Sequence, residues 1–466
     1  MAKLTKPGSN VIRVSAQKTA STEITPSVSG VVAAMSCLAD PGKLHKVTGW
    51  YDFQTQCGIL DVEDVKTNYL ANAVYSYYLL NGGDFYFVLA ETEGGAKATA
   101  TAGTLTVTAK NVGKWGNDIS VAVKENIVTI KYGKDTEVFT SVDDMKNSTY
   151  VTATGTIPAE EKAETKLTGG EDASGTFTEE NVGKAFMELS KAQDITIFSV
   201  LAEDPKFAFS LKQQLASLEQ TYDRKIACIT SVNGNPNSPA TMKPITDAVE
   251  EDVSGNLFFR YMVHYPNVVI SNPCGTPSGK VEVPACVVEH AVYGYYANEY
   301  GVRKAPAGYE STLPNVTDVA YSLTDPQIGD FNSKNVNCII PKSGYGVVNW
   351  GARLLQEHQD RKYTSDLLLD NYIETWIKLD TEWATFESID DVTQTRLVAR
   401  IETFLNSLWQ AGALKGEKAE QAYFVQCNDA TMETAQEGQI IVECGWAKKV
   451  PAEFITTKVI YDAKIV

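Results

Sequence analysis

From residue 176 to 350 the chain alternates helical and apolar strand-like runs, and this restricts the fold more than any other feature. NVGKAFMELSK has helical spacing, DITIFSVLA reads as a buried strand, DPKFAFSLKQQLASLEQTY as a second helix and KIACITSV as a second strand. TMKPITDAVEEDV, FFRYMVHYPNVVIS and VPACVVEHAVYGYYANEYG continue as helix, strand region and helix, and a further strand follows around NVNCIIP. Such alternation builds a doubly wound α/β layer. Residues 23–96 read the same way. SGVVAAMSCLA is a buried strand, DPGKLHKVTGW a loop, and VKTNYLANAVYSYYLLNGG a helix with Tyr69, Leu70, Ala73, Val74, Tyr77 and Leu80 on one stripe. Gly82 caps that helix and DFYFVLAE follows as a strand.

Between these halves, residues 97–175 change character. Thr, Ala, Gly and Lys dominate, and short alternating strands recur in GTLTVTAK, NDISVAVKE, IVTIKYG and EVFTSV, as in an all-β insertion. The insertion ends in the Gly-rich TKLTGGEDASG, which reads as a linker. It lacks the Lys-Ser/Thr of a phosphate loop. At 466 residues the chain is too long for one core. The expected fold is α/β multidomain: an α/β core (23–96 and 176–350), the inserted β-domain (97–175), an α+β C-terminal domain (351–452) and extended terminal arms (1–22 and 453–466). In the C-terminal domain a helix is expected from about Arg396 to Ala413, burying Leu397, Ile401, Phe404, Leu405 and Leu408. Both arms carry a two-faced strand pattern. Ile12 and Val14 alternate with Arg13 and Ser15, and Val459, Tyr461 and Ile465 alternate with Lys458, Asp462 and Lys464.

Composition removes several classes of function. A net charge of −17 opposes a nucleic-acid-binding role, which needs basic stripes. No apolar run reaches the length of a membrane span, and MAKLTKPGSNVIRV has no signal-peptide core, so folding in the cytoplasm is expected. Eight cysteines, at 37, 57, 228, 274, 286, 338, 427 and 444, form no CxxC pair and lack histidines at zinc spacing. Most sit in apolar runs and read as reduced, buried thiols; Cys274, in NPCGTP, reads as the exposed one. There is no HExxH, Gly-x-Ser-x-Gly or GxGxxG. The acidic runs Asp390–Asp391 and Glu250–Asp252 read as solvated faces or caps, and His290 as a core histidine. No catalytic, cofactor or metal residues are assigned, and no cofactor is expected.

Several segments resemble the contractile tail sheath proteins of phages and phage-like injection particles. They are VTGWYDFQTQCG near the N-terminus, the helix–Asn-Gly-Gly–strand unit, and KNVGKWGNDISVAV, with Trp115, Gly116 and Asn117 in a Gly-x-Trp-Gly-Asn turn. NVNCIIPKSGYGVVNWGARLL resembles the family's strand and Trp-Gly-Ala-Arg motif at Trp350, Gly351, Ala352 and Arg353. The segment from Phe404 to Ala463 resembles the family's C-terminal domain. RKYTSDLLLDNYIETWI and FESIDD depart from the family pattern, so tube-facing residues are not carried over. The resemblance implies a non-enzymatic structural subunit. It would polymerise as stacked hexameric rings around a tail tube and contract to drive the tube through a target envelope. The implied partners are the chain itself, the tube protein, and the baseplate and tail-terminator proteins, with neither nucleic acid nor membrane insertion. The implied place is a virion tail or extracellular injection particle assembled in a bacterial host's cytoplasm. The terminal arms would add strands to neighbouring subunits. The other classes open to the sequence are a capsid or surface-layer shell protein and an α/β hydrolase with an inserted β-domain.

Overall fold

The computed structural model describes residues 28–58, 69–222, 224–252, 257–271, 279–358, 361–433, 435 and 437–455. Eight strands form its central sheet: β1 (Ser29–Ala33), β2 (Leu44–Val47), β3 (Phe85–Leu89), β4 (Ile197–Val200), β5 (Ala227–Ser231), β6 (Tyr261–Tyr265), β7 (Val336–Lys342) and β8 (Gly346–Asn349). Their order is β8-β7-β6-β5-β4-β1-β3-β2. The six strands from β7 to β3 run parallel, and each edge is closed by an antiparallel strand, β8 on β7 and β2 on β3. β1 pairs Val31 with Phe87 on one side and with Ser199 on the other. The order reverses at β1, which makes the carboxyl ends of β1 and β4 the topological switch point. β1, β3, β4, β5 and β6 are buried at every residue, as expected of a parallel sheet covered on both faces.

One face is covered by α1 (Tyr69–Leu80) and α2 (Cys286–Glu299). They meet at Gly294, where an added Cβ would lie 3.0 Å from Asn81 Oδ1 and 3.1 Å from the Tyr77 ring. Asn81 of the Asn-Gly-Gly unit locks the pair by donating to Ala291 O (2.8 Å) and Tyr77 O (3.1 Å). The opposite face is covered by the helices Glu179–Leu189, Lys212–Tyr222, Pro239–Glu250 and Asp325–Ser333. Leu189, Leu215, Ile245 and Phe331 enter that second core.

The segment 40–50 departs from the expected loop. Its Leu44–Val47 part pairs antiparallel with β3, and a helix, Trp50–Cys57, follows it. Leu80, expected on the buried stripe, is exposed at the last turn of α1. The helix expected from Arg396 begins earlier, as α4 (Asp391–Gln410), with Asp390 capping the Thr393 N–H at 2.8 Å. Leu397, Ile401, Phe404 and Leu405 are buried and Leu408 is half-buried. α4 packs on α3 (Thr364–Thr381), where Phe404 stacks on Trp376 at 3.8 Å. Leu367, Ile373, Ile401 and Leu405 share one continuous core with α1, α2 and the sheet.

The insertion has its own core between two antiparallel sheets. One has the order Lys162–Lys166, Ile119–Lys124, Ile127–Tyr132, Asp135–Phe139; the other Thr99–Ala102, Leu105–Ala109, Val151–Gly155. Glu125 and Asn126, with φ of 53° and 62°, make the two-residue hairpin that pairs Lys124 with Ile127.

Candidate assembly interface

The sequence motifs fall at two separate places. Trp115, Gly116 and Asn117 lie in a short turn, Lys114–Asp118, inside the insertion. Trp115 is buried in the insertion's core and donates to Val112 O at 3.1 Å. Gly116 sits where an added Cβ would lie 2.8 Å from that of Ala109 and 2.9 Å from that of Ala98. Asn117 spans to the far end of the insertion, accepting from Gly170 N (2.9 Å) and donating to Gly170 O (3.0 Å). With the bridges Ala96–Glu171 and Thr99–Thr168, it ties the two ends of the insertion together. The insertion docks at the switch point. Asn111 Nδ2 donates to Leu38 O (2.8 Å) and Asp40 Oδ1 (3.2 Å), and Ala173 N donates to Ser36 Oγ (2.9 Å).

Trp350, Gly351, Ala352 and Arg353 carry the chain from the end of β8 into a small hairpin, Arg353–His358 with Arg361–Tyr363. Trp350 N donates to Cys338 O at 2.7 Å, and its ring packs under Lys342 Nζ at 4.0 Å. Gly351 passes directly over Asn337, whose amide donates to Arg353 O (2.9 Å) and accepts from Arg353 N (2.7 Å). Ala352 is buried. The Arg353 guanidinium makes a bidentate pair with Glu453, 2.8 Å from Nε and 2.7 Å from Nη2, and Tyr363 Oη donates to the same carboxylate at 3.2 Å. Burial raises the Glu453 pKa, but the bonds from Arg353 outweigh it and hold the carboxyl below its ordinary range.

A second hairpin, Tyr423–Gln426 with Glu443–Trp446, stands at the C-terminal side. Asp370, buried on α3, joins it to the first hairpin: Trp446 Nε1 donates at 2.9 Å, Lys448 Nζ at 3.0 Å and, from the first hairpin, Arg361 Nε at 2.9 Å. No third strand pairs with this hairpin among the described residues. Phe424 on this hairpin faces solvent, as do Val450, Phe454 and Ile455 further along the chain. The arm residues Ile12, Val14, Val459, Tyr461 and Ile465, and Cys274, lie outside the described residues.

The polar groups most like a catalytic set lie under α2. Ser199 Oγ is 2.7 Å from His290 Nε2, Tyr293 Oη is 3.4 Å from His264 Nε2, and Glu289 Oε1 is 3.3 Å from His264 Nδ1. Every one is fully or almost fully buried, so solvent and substrate do not reach them. His290 Nδ1 has no acid to orient the ring, unlike a working Ser–His–acid set. Burial depresses the pKa of both histidines to about 3 and raises that of Glu289. Among the described residues no three His, Cys, Asp or Glu side chains group as metal ligands, and no helix is long and apolar enough to cross a membrane.

Comparison with known proteins agrees with this architecture. Residues 93–172 match the family model of the phage tail sheath protein beta-sandwich domain. No curated protein matches the chain. The helical sheath of the anti-feeding prophage, solved in its contracted state, is 22% identical with a TM-score of 0.62, covering 99% of this chain and 100% of that one. The PVC sheath complex of an extracellular contractile injection system is 20% identical with a TM-score of 0.61, over 100% and 99%. The sheath tail protein of Desulfitobacterium hafniense is 18% identical with a TM-score of 0.64, over 90% and 93%. The chain thus carries the phage tail sheath β-sandwich domain, set within the fold of the solved sheath proteins.

Proposed function

We propose that this chain is the structural subunit of a contractile sheath. Its copies stack as hexameric rings around a tail tube, and contraction drives the tube through a target envelope to deliver a genome or cargo. The observation that carries this reading is the fold shared, over nearly the whole length, with sheath proteins solved in contractile particles. The tube protein, baseplate and tail terminator would be its partners, in a virion tail or an extracellular injection particle built in a bacterial cytoplasm. The inserted domain, held to the segment after β1 by Asn111 and Ala173, would face outward, and the C-terminal domain would face the tube.

The hairpin Tyr423–Gln426/Glu443–Trp446 supports a mechanism of linkage. Tyr423, Val425 and Trp446 pack one face of this hairpin on the main core, and its strand edges stay unpaired among the described residues. Its open edges can accept strands through main-chain hydrogen bonds. The two-faced termini, with Ile12 and Val14 at one end and Val459, Tyr461 and Ile465 at the other, would supply those strands from neighbouring subunits. Subunits so laced stay connected while their bodies rotate. Contraction then needs no nucleotide: a trapped packing relaxes to one burying more apolar surface, at roughly 25 cal/mol per Å².

Removing residues 456–466 by truncation after Ile455 tests the linkage. The shortened chain should fold, stay soluble and fail to polymerise. Normal tubes from it would refute strand donation, and an aggregated subunit would mean that the segment docks on its own body instead.

A further inference from the structure

Arg353 closes the Trp-Gly-Ala-Arg motif, yet nothing in the sheath reading assigns its side chain a task. Its backbone is fixed on both sides by the Asn337 amide, and Nη1 donates to Asn332 O at 2.9 Å. Arg353 and Tyr363 are register partners across their hairpin. They therefore present a guanidinium fork and a phenol side by side, and both grip Glu453, 100 residues beyond Arg353 and 90 beyond Tyr363. An ordinary surface ion pair is open to water and contributes little. Here the Arg353 side chain is only 11% exposed and the Glu453 side chain 21%.

The chain changes character at this grip. Up to Ala447 the backbone is tied to the hairpin region, where Ala447 N donates to Ala422 O and Lys415 N to Ala447 O. Lys448 and Lys449 are held by Asp370 and by Gly412 O. Among the described residues, Glu453 is the last whose side chain is bonded to the body. Phe454 and Ile455, directly after it, are 75% and 87% exposed, two apolar side chains with their surface left in water.

We propose that Arg353 is the positioning residue of the C-terminal arm: by clamping Glu453 with Tyr363, it fixes where the chain leaves the subunit and in which direction. This rests on the reading that the following segment is donated to a neighbour. A strand held at its root explores a smaller volume than a free tail, so its effective concentration at the neighbouring sheet is higher. The recognised group is the Glu453 carboxylate, and the planar fork of arginine fits it where lysine does not.

The test uses the full-length chain with Glu453→Gln, Arg353→Lys and Arg353→Met. Two properties are compared with the parent: tryptic cleavage after Lys449 in unassembled subunit at low concentration, and the protein concentration at which polymers form. Glu453→Gln changes one partly exposed side chain near the end of the chain, so its melting temperature should stay at the parental value. Its cleavage should be roughly tenfold faster, as expected for loss of a charged hydrogen-bonded pair, and polymers should require several-fold more protein. Arg353→Lys should behave like Glu453→Gln rather than like the parent. Cleavage at the parental rate in Glu453→Gln would overturn the clamp. Faster cleavage with unchanged assembly would overturn its positioning role. Truncation after Ile455 leaves Glu453 in place, so tubes from that variant would refute donation, while the cleavage comparison still judges the clamp.

Discussion

Replacing Gly351 by alanine adds one methyl group at the most crowded backbone approach near the clamp. A Cβ built there would lie 2.8 Å from Asn337 Oδ1, 2.9 Å from Asn337 Cα and 3.1 Å from Asn337 Cβ. The Cα belongs to a buried residue of β7, so it cannot swing aside as a flexible side-chain tip would. Overpacking of this kind costs about 1–3 kcal/mol. Displacing the Asn337 amide also strains its two bonds to the Arg353 backbone, each contributing about 1 kcal/mol. With both bonds lost the sum is about 3–5 kcal/mol. For a cooperative unit of about 350 residues, the α/β body with the C-terminal helices that share its core, 1 kcal/mol moves the melting temperature by about 1.5 °C, so this body should melt about 4–8 °C earlier. Gly82→Ala is the control, because nothing lies within 4 Å of its added Cβ; its melting temperature should stay within about 1 °C of the parent. The assay is calorimetry of unassembled subunit, following the transition of the α/β body. A Gly351→Ala shift no larger than the control's would refute the argument that this glycine is there for close approach.

Acid should destabilise the subunit as pH falls below the ordinary histidine value of 6.5, because His264 and His290 are held neutral with pKa values of about 3. Each should contribute a slope of about 1.4 kcal/mol per pH unit between those limits, and His290→Gln should flatten an acid-unfolding curve read by tryptophan fluorescence. Glu289 has the opposite sign: its raised pKa weakens the fold as pH rises above 4.5, so Glu289→Gln should raise the melting temperature more at pH 7.5 than at pH 5. A maleimide applied to the folded subunit should spare Cys37, Cys57, Cys228, Cys286 and Cys338, which are buried, and modify the half-buried Cys427 and Cys444; early labelling of the five would contradict the packing. Excising 93–172 with a short linker should leave a body that still polymerises, because Ala96–Glu171 and Thr99–Thr168 bring the two ends of the insertion together; a folded remainder without assembly would refute its peripheral role.

The strands of the parallel sheet are legible because burial on both faces leaves continuous apolar runs such as IACIT and FYFVL. The insertion is legible because two-residue turns and alternation follow one another in a short span. β2 is hidden because Leu44, His45 and Lys46 are partly or fully exposed at a sheet edge, and edge strands do not carry the apolar signature. α3 escapes helical periodicity because its first half is buried all round, from Thr364 to Asn371, with polar Asp366, Asp370 and Asn371 inside. Leu80 follows the stripe in register, yet is exposed at the last turn of α1, where Asn81 makes the contact with α2. For the candidate interface, the Trp350–Arg353 motif was visible in the sequence, whereas the partner of Arg353 was not. A contact across 100 residues leaves no local pattern, and Glu453 stands in a run, VPAEFI, that marks only a break in structure.

Negative-stain microscopy of the purified full-length chain over a range of salt and pH tests the central claim most directly. The account predicts hollow tubes or rings with sixfold symmetry in end view. Flat sheets, or monodisperse globules at high concentration under every condition, would contradict it.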